Sequence, residues 1–115
     1  MPRTYHAYDE KHKWPKGFGS LCPPDMPTTV PSELLRDAIR VEGLSADKLW
    51  AASGEWLFCA HPSPHLGPDA WHGFPVIGGE ADERVLHALE REGRNTARQR
   101  RRLRRQRELP NGWSP

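Results

Sequence analysis

The sequence predicts an α+β fold: a small antiparallel sheet of about three strands with flanking helices and an arginine-rich C-terminal helix. Three observations carry this. Two aromatic-rich runs flank a Ser53-Gly54 turn signal, apolar residues recur at helical spacing on either side of them, and fifteen residues near the end hold eight arginines. That last stretch, Arg94 to Glu108, carries a net charge of +7 in a chain whose total is +2, so the remainder carries −5. The average conceals an acidic body with a cationic arm.

At 115 residues, 36% hydrophobic and 28% charged, the chain is long enough for one modest core. The expected division is an irregular N-terminal arm over 1–27, an α+β domain over 28–93, an arginine-rich helix over 94–109 and a tail over 110–115. No apolar run approaches the length of a spanning helix, and the start has no apolar leader segment, so no membrane partner and a cytoplasmic location are expected. Cys22 and Cys59 could form one disulfide in an exported chain, and in a reducing compartment they read most simply as free, partly buried thiols.

The first 31 residues are rich in Pro, Gly, Lys and His and show no sustained period. Within them Phe18, Leu21 and Cys22 suit a short extended segment stopped by Pro23-Pro24, and Lys11, His12, Lys13 and Lys16 form a weaker basic patch that reads first as a solvated tail. From Ser32, a candidate N-cap, Leu34, Leu35, Ala38 and Ile39 make one stripe, predicting a helix over about 33–42 with Gly43 as its left-handed stop. A hairpin over 48–52 and 55–60 is favoured over a helix from 45 to 53, because tryptophan and phenylalanine suit strands. After a proline-rich loop, residues 71–77 read as a third strand, with Pro75 pointing to an edge position. Val85, Leu86 and Leu89 predict a helix over 81–92 with acids at its start and Gly93 at its end. Asn95 is the expected cap of the final helix, and Pro110-Asn111-Gly112 its close.

On a helix at 100° per residue, Arg94, Arg98, Arg101, Arg102 and Arg105 fall on one stripe and Arg100, Arg104 and Arg107 on the other side. Thr96, Gln99, Leu103 and Gln106 fill the arc between. With so little apolar surface the helix is expected to lack a docking stripe, to fray by like-charge repulsion at 98/102, 100/104 and 101/105, and to order on a polyanion. The candidate nucleic-acid-binding residues are Arg98, Arg100, Arg101, Arg102, Arg104, Arg105 and Arg107, since a planar fork can bind phosphate bidentately and also stack on bases. The run Arg100-Arg101-Arg102-Leu103-Arg104-Arg105 resembles the core of arginine-rich RNA-binding peptides, such as the antiterminator N peptides of lambdoid phages. The resemblance, which covers residues 95–108, implies a helix that reads a hairpin or bulged RNA.

The leading expectation is thus a small non-catalytic regulatory or accessory protein that binds nucleic acid, structured RNA ahead of DNA. The alternative is a protein–protein inhibitor or adaptor, of the sort mobile elements or toxin systems encode, whose arm grips an acidic protein surface. A homodimer is compatible with either. A third reading is a small metal-free nuclease. Cys59-x-His61-x3-His65-x6-His72, with Cys22, His6 and His12 elsewhere, offers metal-ligand chemistry, but without a C-x2-C pair neither a metal site nor any cofactor is expected. Cys59/His72 as nucleophile and base, or His61/His72 as acid and base, are the catalytic candidates. Trp50, Trp56, Trp71, Phe58 and Phe74 could form a stacking platform, yet a core this small needs them first as bulk.

Overall fold

A computed structural model describes residues 3–5, 30–64 and 69–110. In chain order the elements are β1 (Thr4–Tyr5), α1 (Val30–Asp37), β2 (Leu49–Ser53), β3 (Trp56–Pro62), β4 (Ala70–Val76), a 3-10 turn (Gly78–Glu80), α2 (Glu83–Arg91) and α3 (Ala97–Arg104). Strands β2, β3 and β4 form the antiparallel sheet, and β1 adds a short parallel edge, giving the order β1-β4-β3-β2.

The hairpin forms because Gly54 takes φ +57 in the turn, which lets Ser53 pair with Trp56 and Leu49 with Ala60. Alternation then sorts the side chains onto two buried faces. Leu49, Ala51, Ala60 and Trp71 pack with Leu35 and Ala38 of α1 and the residue after it. Trp50, Leu57 and Cys59 pack on the other face with Val85, Leu86, Ala88 and Leu89 of α2 and Leu103 of α3. The sheet is therefore the middle layer between α1 and the α2/α3 pair. The aromatic residues do serve first as bulk: Trp50, Trp56, Phe58 and Trp71 are all buried, and Phe74 packs against the larger cluster.

Several elements differ from expectation. α1 begins at Val30, so Ser32 lies inside it, and it ends at Asp37. Ile39 has left the helix to exchange both backbone hydrogen bonds with Trp50, at 2.9 and 2.8 Å, across the outer edge of β2. An unpaired sheet edge outweighs another half-turn of helix there. Gly43 has φ +88, but in the following turn rather than at the helix end. The first 27 residues are not irregular throughout: Thr4–Tyr5 pairs with Ala70 and Trp71, and Nη1 of Arg3 donates to the Leu35 and Ala38 carbonyls at 2.9 and 2.8 Å, a cation at the α1 C-terminus. Burial, and then Arg40, hold the Arg3 pKa below its ordinary value. Pro75 sits on β4 beyond the two residues that β1 covers, where the outer side has no strand partner among the described residues. Its missing N–H is tolerated there.

α2 starts at an N-cap, Asp82, whose carboxylate accepts from the Arg84 backbone N–H at 2.8 Å. It ends where Gly93 turns the chain at φ +73. The cap of α3 is Thr96, not Asn95: the Thr96 hydroxyl accepts from the Gln99 N–H and the Gln99 side chain accepts from the Thr96 N–H, a complete capping box. Asn95 is buried instead. The segment around Phe18, Leu21 and Cys22, the Lys11–Lys16 patch and the closing Asn111-Gly112 lie outside the described residues.

Candidate nucleic-acid interface

The arm was expected to have nothing to dock by, and here the structure corrects the sequence reading. Leu103 is wholly buried in the cluster beneath α2. It stands in the middle of the arc that carries no guanidinium, flanked by half-buried Gln99 and Gln106. That arc is the docking face. One leucine would hold a helix weakly, and the main chain does the rest. Gly78 and Gly79 lie so close to α3 and its exit that a Cβ on Gly78 would overlap the Leu103 carbonyl, and one on Gly79 the Gln106 carbonyl. Gln106 completes the contact: its Oε1 accepts from the Gly78 N–H at 2.9 Å, and its Nε2 donates to the Glu55 carbonyl at 2.6 Å.

Docking divides the seven candidate arginines into two groups. Arg100 Nε donates to Glu90 Oε1 at 2.5 Å, tying α3 to α2. Arg104 Nη1 donates to the carbonyls of Gly79 and Ala81, the latter at 3.0 Å. Both side chains therefore serve the fold, and the 100/104 repulsion expected from spacing is relieved by an acid and by carbonyl oxygens. Arg98, Arg101, Arg102 and Arg105 are exposed at i, i+3, i+4 and i+7, and Arg107 is exposed just past the helix. The side chain of none of these five makes a hydrogen bond or ion pair with another of the described residues. The outward row coincides with the stripe read from the sequence. Neighbours on one helix face stand about 5–6 Å apart at Cβ, so the guanidinium groups can contact successive phosphates along one line.

The histidine constellation resolves differently. His61 and His72 are cross-strand partners, and their rings stack with centroids 5.8 Å apart and planes within 17°. His61 also stacks on Phe74 at 5.2 Å, while His72 Nδ1 and the buried Ser63 hydroxyl share a 2.6 Å hydrogen bond. Imidazoles lying face to face leave no slot between them for a phosphate to be attacked from one side and protonated from the other. Cys59 Sγ lies 3.8 Å from His61 Nε2, and its cross-strand partner on β4 is Phe74 rather than His72. Burial pushes its thiol pKa up to about 11, which keeps it protonated and non-nucleophilic near neutral pH. Among the described residues no group of three or more His, Cys, Asp or Glu is placed to hold a metal ion. His65, His6, His12 and Cys22 lie outside those residues. No helix among them is long and apolar enough to cross a membrane.

Sequence reasoning missed the roles of Gly78, Gly79 and Gln106. The available signal was Leu103, the one apolar side chain within the guanidinium-free arc. Comparison with protein-family models, with curated proteins and with solved structures gives no match.

Proposed function

We propose that this chain is a small non-catalytic nucleic-acid-binding protein, regulatory or accessory in role, that takes structured RNA ahead of DNA. Its contact surface is the row Arg98, Arg101, Arg102 and Arg105, extended by Arg107. The observation that carries the reading is the row itself: exposed guanidinium groups on one face of a helix whose other face is committed to the core. The fixed placement lowers the ordering cost that a free arginine peptide meets on binding. RNA is favoured by the likeness of residues 100–105 to arginine-rich RNA-binding peptides. A helix docked along one side cannot be enclosed by a deep groove as a free peptide is. It therefore follows a single line of phosphates at a groove edge.

Gel or filter binding to structured RNA and to duplex DNA across a salt series tests this. Phosphate contacts by the four arginines of the row predict a slope of log affinity against log salt of about −3.6 on a duplex, to which Arg107 adds about −0.9, whereas a released arm using all eight arginines would give about −7. No retention at low salt would reject the proposal. The quadruple variant Arg98→Gln, Arg101→Gln, Arg102→Gln, Arg105→Gln should abolish binding with the fold intact. It is a cleaner probe than truncation at residue 93, which would remove Leu103 from the core. Capture of an acidic protein by the row after nuclease treatment, with no nucleic acid retained, would favour the adaptor reading instead.

A further inference from the structure

Where α3 ends, the chain folds back over the 3-10 turn, and a cleft of about 640 Å³ opens between them. It is lined by Gly79, Glu80, Arg104, Arg105, Gln106 and Arg107. That volume lies within the ordinary range for small-ligand sites. Gln106 is already engaged, by Gly78 and Glu55, and Arg104 gives its Nη1 to the Gly79 and Ala81 carbonyls, while its buried Nη2 has no partner among the described residues. The Arg105 and Arg107 side chains are not engaged: both residues are exposed, and neither guanidinium has a hydrogen bond or ion pair among the described residues. Three guanidinium groups against the carboxylate of Glu80 leave the lining two charges positive. Arg104 and Arg105 complement the C-terminal dipole of α3, but Arg107 lies three residues past its last residue, where that dipole has faded.

The geometry points to a phosphate-monoester site in this cleft, one that takes the terminal phosphate of a nucleic-acid strand or of a mononucleotide between the forks of Arg105 and Arg107. The inference rests on the nucleic-acid reading above and adds the place where a strand end is held. One feature favours an end over the middle of a strand: a monoester brings about −1.5 to −2 of charge and three acceptor oxygens, which suits a lining with two excess positive charges and two open forks. Glu80 opposes the phosphate itself, but it can accept a hydrogen bond from a sugar hydroxyl or a base N–H of the same nucleotide.

The test uses the full chain and a short single-stranded oligoribonucleotide in three forms: 5′-phosphorylated, 3′-phosphorylated and with hydroxyls at both ends. A nucleoside monophosphate is titrated separately. One phosphorylated form should bind roughly tenfold more tightly than the hydroxyl form, the scale of a charge-assisted contact. Arg107→Gln should erase that preference and Arg105→Gln reduce it, while Arg98→Gln weakens all three oligonucleotides alike and keeps the preference. Equal affinity for all three forms overturns the site and leaves the outward row standing. So does a preference that survives in both Arg105→Gln and Arg107→Gln, since the added charge alone would explain it. If no oligonucleotide binds at low salt, the reading of the row fails and the monophosphate titration decides the cleft. Backbone amide shifts at Gly79, Arg105 and Arg107 that vanish in Arg107→Gln uphold the site, and their absence overturns it.

Discussion

α2 and α3 pack on the same face of the sheet and are held there by different means. α2 has nine residues and turns four apolar side chains, Val85, Leu86, Ala88 and Leu89, into the core. α3 has eight and turns in Leu103 alone. The deficit is met by the Gly78-Gly79 main chain, by two hydrogen bonds of Gln106, by a capping box and by the Arg100–Glu90 pair. A helix can thus be fixed largely by backbone fit, with Arg98, Arg101 and Arg102 of its eight residues left exposed to solvent. In α2 the position and the core are one thing. In α3 the position is secured with most of the surface left over, and that surplus is the candidate interface.

The sharpest test of this contrast replaces one buried leucine in each helix. Leu89→Ala should cost about 3–5 kcal/mol and appear at every protected amide, because it hollows the shared core. Leu103→Ala should cost about 2–3 kcal/mol, with faster hydrogen exchange concentrated in residues 97–106 while the hairpin stays protected. Identical global losses for the two would show that α3 belongs to the same cooperative unit as α2. Next comes Gly78→Ala. The added methyl meets main-chain atoms of Leu103, which cannot swing aside, so a loss of about 1–3 kcal/mol and release of α3 are expected in denaturant melts and exchange. Stability unchanged from wild type would mean that backbone contact does not hold the helix.

A smaller effect separates the caps. Thr96→Ala removes the hydroxyl from the α3 box and should cost about 1 kcal/mol, read by amide exchange at Gln99. The smallest difference lies in acid. The Arg84 side chain and backbone N–H hold the Asp82 carboxyl down to about 2, from an ordinary 3.8. Since the folded value is the lower one, its contribution is complete above about pH 4 and is lost as the pH falls through about 2. Amides at the start of α2 should lose protection across that window and those at the start of α3 should not, because threonine does not titrate there. Asp82→Asn should remove the pH dependence; a dependence that persists would trace to another carboxylate.

The parts legible in the sequence were those governed by local chemistry. Gly54 and its flanking aromatics marked the hairpin, and Gly93 and the Val85/Leu86/Leu89 spacing marked α2. The 100° rule placed Arg98, Arg101, Arg102 and Arg105 on one face before any packing was known. What stayed hidden depended on contacts between distant segments. Nothing local to Arg3 reveals that it caps α1, and Ile39 satisfies a helical stripe as well as it satisfies the edge of β2. Leu103 gave a faint signal because one apolar residue does not make a stripe. Its weight came from Gly78 and Gly79, some 25 residues away, whose missing side chains make room for it. For the same reason Arg100 and Arg104 looked equivalent to their neighbours until the docked side was known.

The close seat of α3 on Gly78-Gly79 relies on main-chain atoms that every amino acid possesses, helped by the side chains of Leu103, Arg104 and Gln106, with Arg100 tied to α2. The row facing outward is therefore free to change residue by residue without unseating the helix, and a lineage could retune the charge it displays while the scaffold goes unaltered. Length is a different matter. One extra residue between Thr96 and Leu103 would swing the row through about 100° and carry guanidinium groups toward the floor of the fold, so this arm should vary by substitution and resist insertion.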